Sequence, residues 1–235
     1  MARMINPFHE DTLPPFDGFP KEALRFLREL KNNNSREWFA EQKDRYERQV
    51  KEPMVMLLAS LAARLQVSHP DIVLEPKKAM YRIHRDVRFS PDKSPYKVWI
   101  AAAFTYQGFD RKTDAAFYFH IMPEEFGIGG GLYAPMGDTL KNLRKAIDED
   151  PSGLHAILHD RSFKKFYGGL TGEELMRVPH GYDKEHPEAE LLRKKQFLCW
   201  ATLPVTTIHD ASLVDTLTTH FSAMAPFVRW LVDHS

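Results

Sequence analysis

At 235 residues, 43% hydrophobic and 27% charged, the chain is long enough to bury a core without disulfide or metal staples, and too apolar to be disordered. Its 32 Lys and Arg balance 32 Asp and Glu, so no global field draws it toward nucleic acid or a membrane surface. One cysteine excludes an intramolecular disulfide and fits a reducing compartment.

Residues 1–18 carry Pro7, Pro14, Pro15 and Gly18 and read as an extended arm, with one domain over 19–235. The N-terminus has no apolar stretch of signal-peptide length, and the longest apolar run, Val98 to Phe104, is too short for a bilayer. The expectation is a cytoplasmic protein with no membrane partner. Leu24, Leu27 and Leu30 recur at helical spacing from Lys21 onward. The run Asn32-Asn33-Asn34 ends that helix, and Asn34 followed by Glu37 matches a capping box for the next. Phe39, Tyr46, Val50, Met54, Leu57, Leu58, Leu61 and Leu65 predict a helix over 35–66, kinked or split at Pro53.

The period then changes to two. Tyr81, Ile83, Val87 and Phe89 alternate with Arg82, His84, Asp86 and Arg88, which predicts a half-buried strand. Ser90 to Pro95 is turn chemistry, and Val98 to Tyr106 reads as its partner strand. Ala115 to Met122 and Gly127 to Tyr133 predict two more strands joined by a tight turn, and Gln196 to Thr202 a last one. Helices are expected after Asp138, after a Ser152 cap, near Pro187, and from an Asp210 cap onward with a break near Pro226. Leu170 to Asp183 shows no period. The predicted class is α+β: one antiparallel sheet of about five strands, with helices packed mainly on one face.

The informative stretch runs from Lys77 to Lys97, where seven Lys or Arg meet two Asp in an otherwise neutral chain. Strand alternation sets Arg82, His84, Asp86 and Arg88 on one face and Arg85 on the apolar one, where a guanidinium must find partners. Three readings stay open. Arg82, Arg85 and Arg88 pair with Asp86, Asp92 and other carboxylates as a structural network. Alternatively Arg82, Arg85, Arg88, Lys93, Tyr96 and Lys97, with Gly130 and Arg144, bind a phosphate or carboxylate. Or the same cations hold a substrate while His84 or Asp86 moves a proton.

The pattern R-x-x-R-D-x-R-F beginning at Arg82, followed by D-K-x-x-Y at Asp92, resembles the hallmark of the family named domain of unknown function 2461. That family occurs in bacteria and, within longer chains, in fungi. The likeness extends through Asn32 to Phe39, Gly129 to Tyr133, Arg144 to Asp148 and Arg177 to Tyr182. It implies no established activity, substrate or cofactor.

Weaker signals add little. Gly127-Ile128-Gly129-Gly130-Gly131 lacks the Lys-Ser/Thr of a phosphate loop and reads as a strand that another backbone or a ligand approaches closely. His155 and His159 stand four apart without a third ligand type nearby, so no metal is expected. Tyr118 and His120 share a strand face and read as core in preference to pocket wall. Arg144 lies on the apolar side of its helix. Cys199, within Phe197-Leu198-Cys199-Trp200, reads as a small buried hydrophobe. The leading expectation is an anion-binding domain seated on the Arg82–Lys97 hairpin, with no cofactor. Zero net charge favours a phosphorylated small molecule over nucleic acid as partner. An enzyme using the same cradle is the alternative, and a scaffold docking a protein partner the third.

Overall fold

The structure is a computed structural model that describes residues 14–235, so most of the expected arm lies outside the described residues. Helix α1 spans Lys21–Asn32 and buries Ala23, Leu24, Phe26, Leu27 and Leu30, the stripe that the leucine spacing predicts. The expected long second helix comes in pieces: α2 (Arg36–Glu41), α3 (Lys43–Tyr46), a π turn over Glu47–Lys51, and α4 (Glu52–Ser68). Pro53 has no N–H for the helical ladder. Just ahead of it the chain widens by one residue, with the Glu52 N–H bonded to the Glu47 carbonyl. This keeps Val50, Met54, Leu57, Leu58, Leu61 and Leu65 on one buried face.

There follow β1 (Ile72–Val73), α5 (Pro76–Ala79), β2 (Ile100–Tyr106), β3 (Ala116–Ile121), β4 (Phe126–Leu132), α6 (Gly137–Glu149), α7 (Ser152–His159), α8 (Arg161–Tyr167), α9 (Ala189–Arg193), β5 (Phe197–Leu203) and α10 (Leu213–His234). The five strands form one antiparallel meander in the order β1-β2-β3-β4-β5. The α+β class and single antiparallel sheet are as expected from the sequence. The identity of one strand is not. Residues 81–89 form no ladder; only isolated bridges, Met80 to Ala102 and His84 to Tyr96, tie this segment to its neighbours. Pro91 and Pro95 on the opposing limb have no N–H to donate, so pairing stops at its tip. Short β1 takes the fifth place, paired through Ile72 with Tyr106.

Register assigns the two sheet faces. Ile100, Ala102 and Phe104 align with Ile121, Phe119 and Phe117, and these with Phe126, Ile128 and Gly130. All face the helices, where α10 crosses β4 and Gly130 leaves room for Met224. Helix α10 is unbroken although Pro226 lies inside it. Its buried side chains, from Leu213 and Phe221 to Phe227 and Leu231, hold it against the sheet despite the roughly 3 kcal/mol that an internal proline costs. Asp210, expected to cap α10, accepts the Ser212 N–H just ahead of the helix, and Asp150 accepts that of Ser152 ahead of α7 in place of the cap expected at Ser152. No helix among the described residues is long and apolar enough to cross a membrane.

Candidate functional site

The Arg82–Lys97 segment is an irregular hairpin whose charges are mostly consumed within itself. Burial alternates as its period predicts up to Arg88, with Ile83 buried, Arg85 half-buried and Arg82, His84, Asp86 and Arg88 exposed. Phe89, expected on the buried face, is exposed because pairing has stopped by the tip. Arg85 pairs with Asp92 and reaches the Ser90 hydroxyl at 3.4 Å. Arg88 grips Asp86 through Nε at 3.0 Å and Nη2 at 2.7 Å. Those contacts hold the Asp86 carboxyl well below its usual range, at about 2; Asp92 falls further, held first by Ser94 and then by Arg85. Lys93 Nζ donates to the Val87 carbonyl and Lys97 Nζ to that of Arg82. Arg82 has no carboxylate partner among the described residues.

The hairpin is pinned from outside by a residue whose role the sequence reading assigned elsewhere. Ser35, not Asn34, caps α2, its hydroxyl accepting the Trp38 N–H at 3.2 Å. Asn34 instead clamps the hairpin: its Nδ2 donates to the Tyr96 carbonyl at 2.9 Å, and its Oδ1 accepts the Tyr96 N–H at 3.0 Å. The Tyr96 ring is buried and stacks on Phe39 at 4.1 Å, so it anchors the segment. A groove of about 570 Å³ between α1 and the hairpin brings together Arg85, Asp86, Tyr96 and Lys97, with Lys31 and Asp92. Arg82, His84, Arg88 and Lys93 lie outside its lining.

The remaining expected ligands sit elsewhere. Gly130 turns its missing side chain toward α10, where a Cβ would stand 2.5 Å from Met224 Sδ, and lines the cleft on the other sheet face. Arg144 donates to the carbonyls of Leu192 and Lys194 at 2.9 and 3.2 Å, closing the end of α9. Cys199 is buried on the helix side, and burial pushes its thiol up to about 12. His155 meets Glu188 at 2.9 Å, and no metal-holding group of His, Cys, Asp or Glu is present among the described residues.

The second sheet face carries what the sequence reading missed. Ala103, Tyr118, Gly129 and Trp200 align in one row across four strands, and Ala101, His120, Gly127 and Thr202 in the next. Trp200 lies flat over β4: a Cβ on Gly127 or Gly129 would come within 2.2 or 2.4 Å of its indole. The glycines thus let the indole sit low against the sheet. The result is a cleft of about 690 Å³ walled by Tyr81, Trp99, Tyr118, Tyr133 and Trp200 and bounded by the loop carrying Arg111. Tyr118 and His120 therefore stand on the open face and not in the core, the correction that register imposes on the sequence reading.

Arg111 is the unusual member. Its Cζ lies 4.7 Å from the Tyr81 ring centroid, and its Nη1 is buried with no hydrogen-bond partner. It makes no ion pair among the described residues. The nearby Asp114 accepts the Asp110 N–H at 2.7 Å. Lys97 stands between cleft and groove, its Nζ 5.3 Å from the Tyr81 centroid and 4.8 Å from that of Trp99. Burial, and then the Arg82 charge, lower its pKa. The parity of Ala101 and Ala103 with Gly127, Gly129 and Gly131 was a readable signal of a shallow face. Arg111 gave none, since its turn of Gly, Asp and Lys looks solvated.

The fold is a single α+β domain with helices on one side of a meander and an aromatic cleft on the other. Residues 22–230 match the family described as conserved hypothetical protein (DUF2461), and the chain belongs to that family. No curated protein and no solved structure matches it.

Proposed function

We propose that the protein binds a compact anionic small molecule, phosphorylated or carboxylated, in the open-face cleft, with Arg111 as its charge partner and Lys97 at the rim. The observation that carries this reading is the orphaned Arg111 nitrogen. A buried guanidinium donor without a partner costs about 1–3 kcal/mol or more, so its retention beside a cavity calls for an acceptor that arrives from outside. A largely apolar cleft with few polar groups is the common form of a small-molecule site. The planar fork of arginine suits the oxygens of phosphate or carboxylate. The hairpin supports the site with Tyr81 and Trp99, whose rings Lys97 packs against, while Arg85 and Arg88 stay with Asp92 and Asp86. The balanced net charge favours a compact ligand over a polyanion.

The test is thermal unfolding of wild type, Arg111→Gln and Arg85→Ala against inorganic phosphate, sugar phosphates, nucleoside monophosphates, aromatic carboxylates and short oligonucleotides. A ligand that binds the folded state raises the midpoint by mass action. The expected result is a shift of several degrees with a small anion for wild type and Arg85→Ala, lost in folded Arg111→Gln. An equal shift in Arg111→Gln, or no shift by any compound in wild type, overturns the reading.

A further inference from the structure

We propose that Tyr118, oriented by His120 and Glu125, is the hydrogen-bond acceptor of the cleft, so that the ligand pairs its anionic group with a hydroxyl or amine donor. This rests on the reading of the cleft as an anion site and specifies what else the ligand carries.

The argument starts at the turn joining β3 and β4. Glu125 lies in that turn and His120 is the next-to-last residue of β3, which brings His120 Nε2 within 3.3 Å of Glu125 Oε1. An ionised carboxylate only accepts hydrogen bonds, so the contact places the ring proton on Nε2. Packing against Trp200, with ring centroids 5.2 Å apart, shields the imidazole. Burial lowers its pKa, and Glu125 only partly opposes that, which favours the neutral ring. A neutral ring protonated at Nε2 has a bare lone pair at Nδ1. The Tyr118 hydroxyl stands 3.4 Å from Nδ1, and burial raises its pKa, so it keeps its proton and donates it there. The single proton of Tyr118 is then engaged, and its oxygen offers the cleft only lone pairs. Such side-chain chains fix donor and acceptor roles along their length.

The opposite polarity comes from Arg111, which can only donate. Arg111 and Tyr118 line the same cleft and both pack on Tyr81, Arg111 with its Cζ 4.7 Å from the ring centroid and Tyr118 with its ring centroid 6.3 Å away. A small molecule that carries a hydrogen-bond donor as well as its anionic group satisfies both. Small anions lacking the donor leave the Tyr118 oxygen dry and unpaired, which is where a site built for a hydroxyl discriminates most strongly.

The experiment uses two probe pairs, 4-hydroxybenzoate against benzoate and glycerol 3-phosphate against propyl phosphate, titrated into wild type, Tyr118→Phe, Glu125→Ala and Glu125→Gln. In wild type the hydroxylated member of a binding pair is expected to bind about tenfold tighter. Tyr118→Phe should erase that preference, with the hydroxylated member losing its advantage and the deoxy member binding no worse than to wild type. Glu125→Ala should weaken the preference severalfold, and Glu125→Gln, which can still accept from Nε2, should retain it. Nitrogen-15 NMR of the ligand-free protein should show His120 protonated at Nε2. Probes that bind without discriminating, a preference that survives Tyr118→Phe, or an Nδ1-protonated His120 overturn this inference alone. Failure of every probe to bind overturns the anion reading and this one with it.

Discussion

The two faces of the one sheet solve opposite problems with the same strands. Toward the helices, Phe104, Phe117, Phe119, Phe126, Ile128 and Phe197 fill space, and all are buried against α10 and its neighbours. Toward the other side, Ala101, Ala103, Ala116, Gly127, Gly129 and Gly131 keep the surface low, with Trp200 lying over two of the glycines, and the bulky residues are Tyr118, His120, Leu198 and Trp200. The aromatics on the helix side are phenylalanines except Tyr106, whose hydroxyl donates to the Ala225 carbonyl of α10, whereas Tyr118, His120 and Trp200 carry polar tips on the open face. A face meant only to be covered would be filled as the first is. The difference separates the part of the sheet that specifies the fold from the part available for a ligand.

The largest effect should fall on the filled face. Phe117 stacks on Phe104 at 5.3 Å and meets Phe221 edge-on at 5.7 Å. Phe117→Ala is expected to cost about 3–5 kcal/mol, because neither strand nor helix can collapse into the void. Chemical denaturation checks this, with an unchanged slope showing that the folded state persists. A loss under about 1 kcal/mol would mean that this face is loosely packed and that the contrast between the faces is false.

Two adjacent glycines give a sharper comparison. An added Cβ at Gly130 meets the end of a flexible Met224 and, at 3.0 Å, the Ala116 carbonyl, whereas at Gly129 it meets a flat indole and the Cys199 carbonyl at 2.6 Å. Methionine can move aside more easily than tryptophan or backbone. Gly129→Ala should therefore cost about 1–3 kcal/mol and shift the tryptophan emission as Trp200 lifts, with Gly130→Ala costing less and leaving emission unchanged. Equal costs with no emission change would show that Trp200 does not rest on β4.

How much of this was legible in the sequence follows the same division. The strands expected over 115–122 and 127–133 match β3 and β4 to within a residue or two, because burying one face of a strand needs no knowledge of distant partners. The hairpin at Arg82 announced itself by charge, and its arginines then turned out to be paired with Asp86 and Asp92 a few residues away. The cleft stayed hidden because its parts come from separate segments: Tyr81 and Trp99 from the hairpin, Arg111 from a turn, Trp200 from β5. Nothing in sequence says that Arg111 comes to lie over Tyr81. Asn34 misled for a related reason, since the capping rule is satisfied by Ser35 one residue later, and the amide is free to reach across to Tyr96.

That amide yields the smallest effects and the most specific ones. Arg88 and Asp86 form an exposed pair, whereas Asn34 holds both backbone groups of Tyr96 beneath the hairpin. Exposed ion pairs contribute little because water screens them and long side chains must be ordered to make them. A backbone donor and acceptor stripped of their partner lose more, because the half-buried site admits replacement water poorly. Asn34→Ala is expected to cost about 1–2 kcal/mol, and Asn34→Asp less, since it keeps the acceptor for the Tyr96 N–H. Arg88→Ala should leave the unfolding midpoint where it is. Amide hydrogen exchange at Tyr96 and Lys97 should accelerate in Asn34→Ala and stay unchanged in Arg88→Ala, which localises the loss to the hairpin. If instead Arg88→Ala were the more damaging change, the arginine network would be what seats Tyr81 and Trp99 against the cleft. The hairpin, and not the sheet face, would then be the better place to look for the ligand.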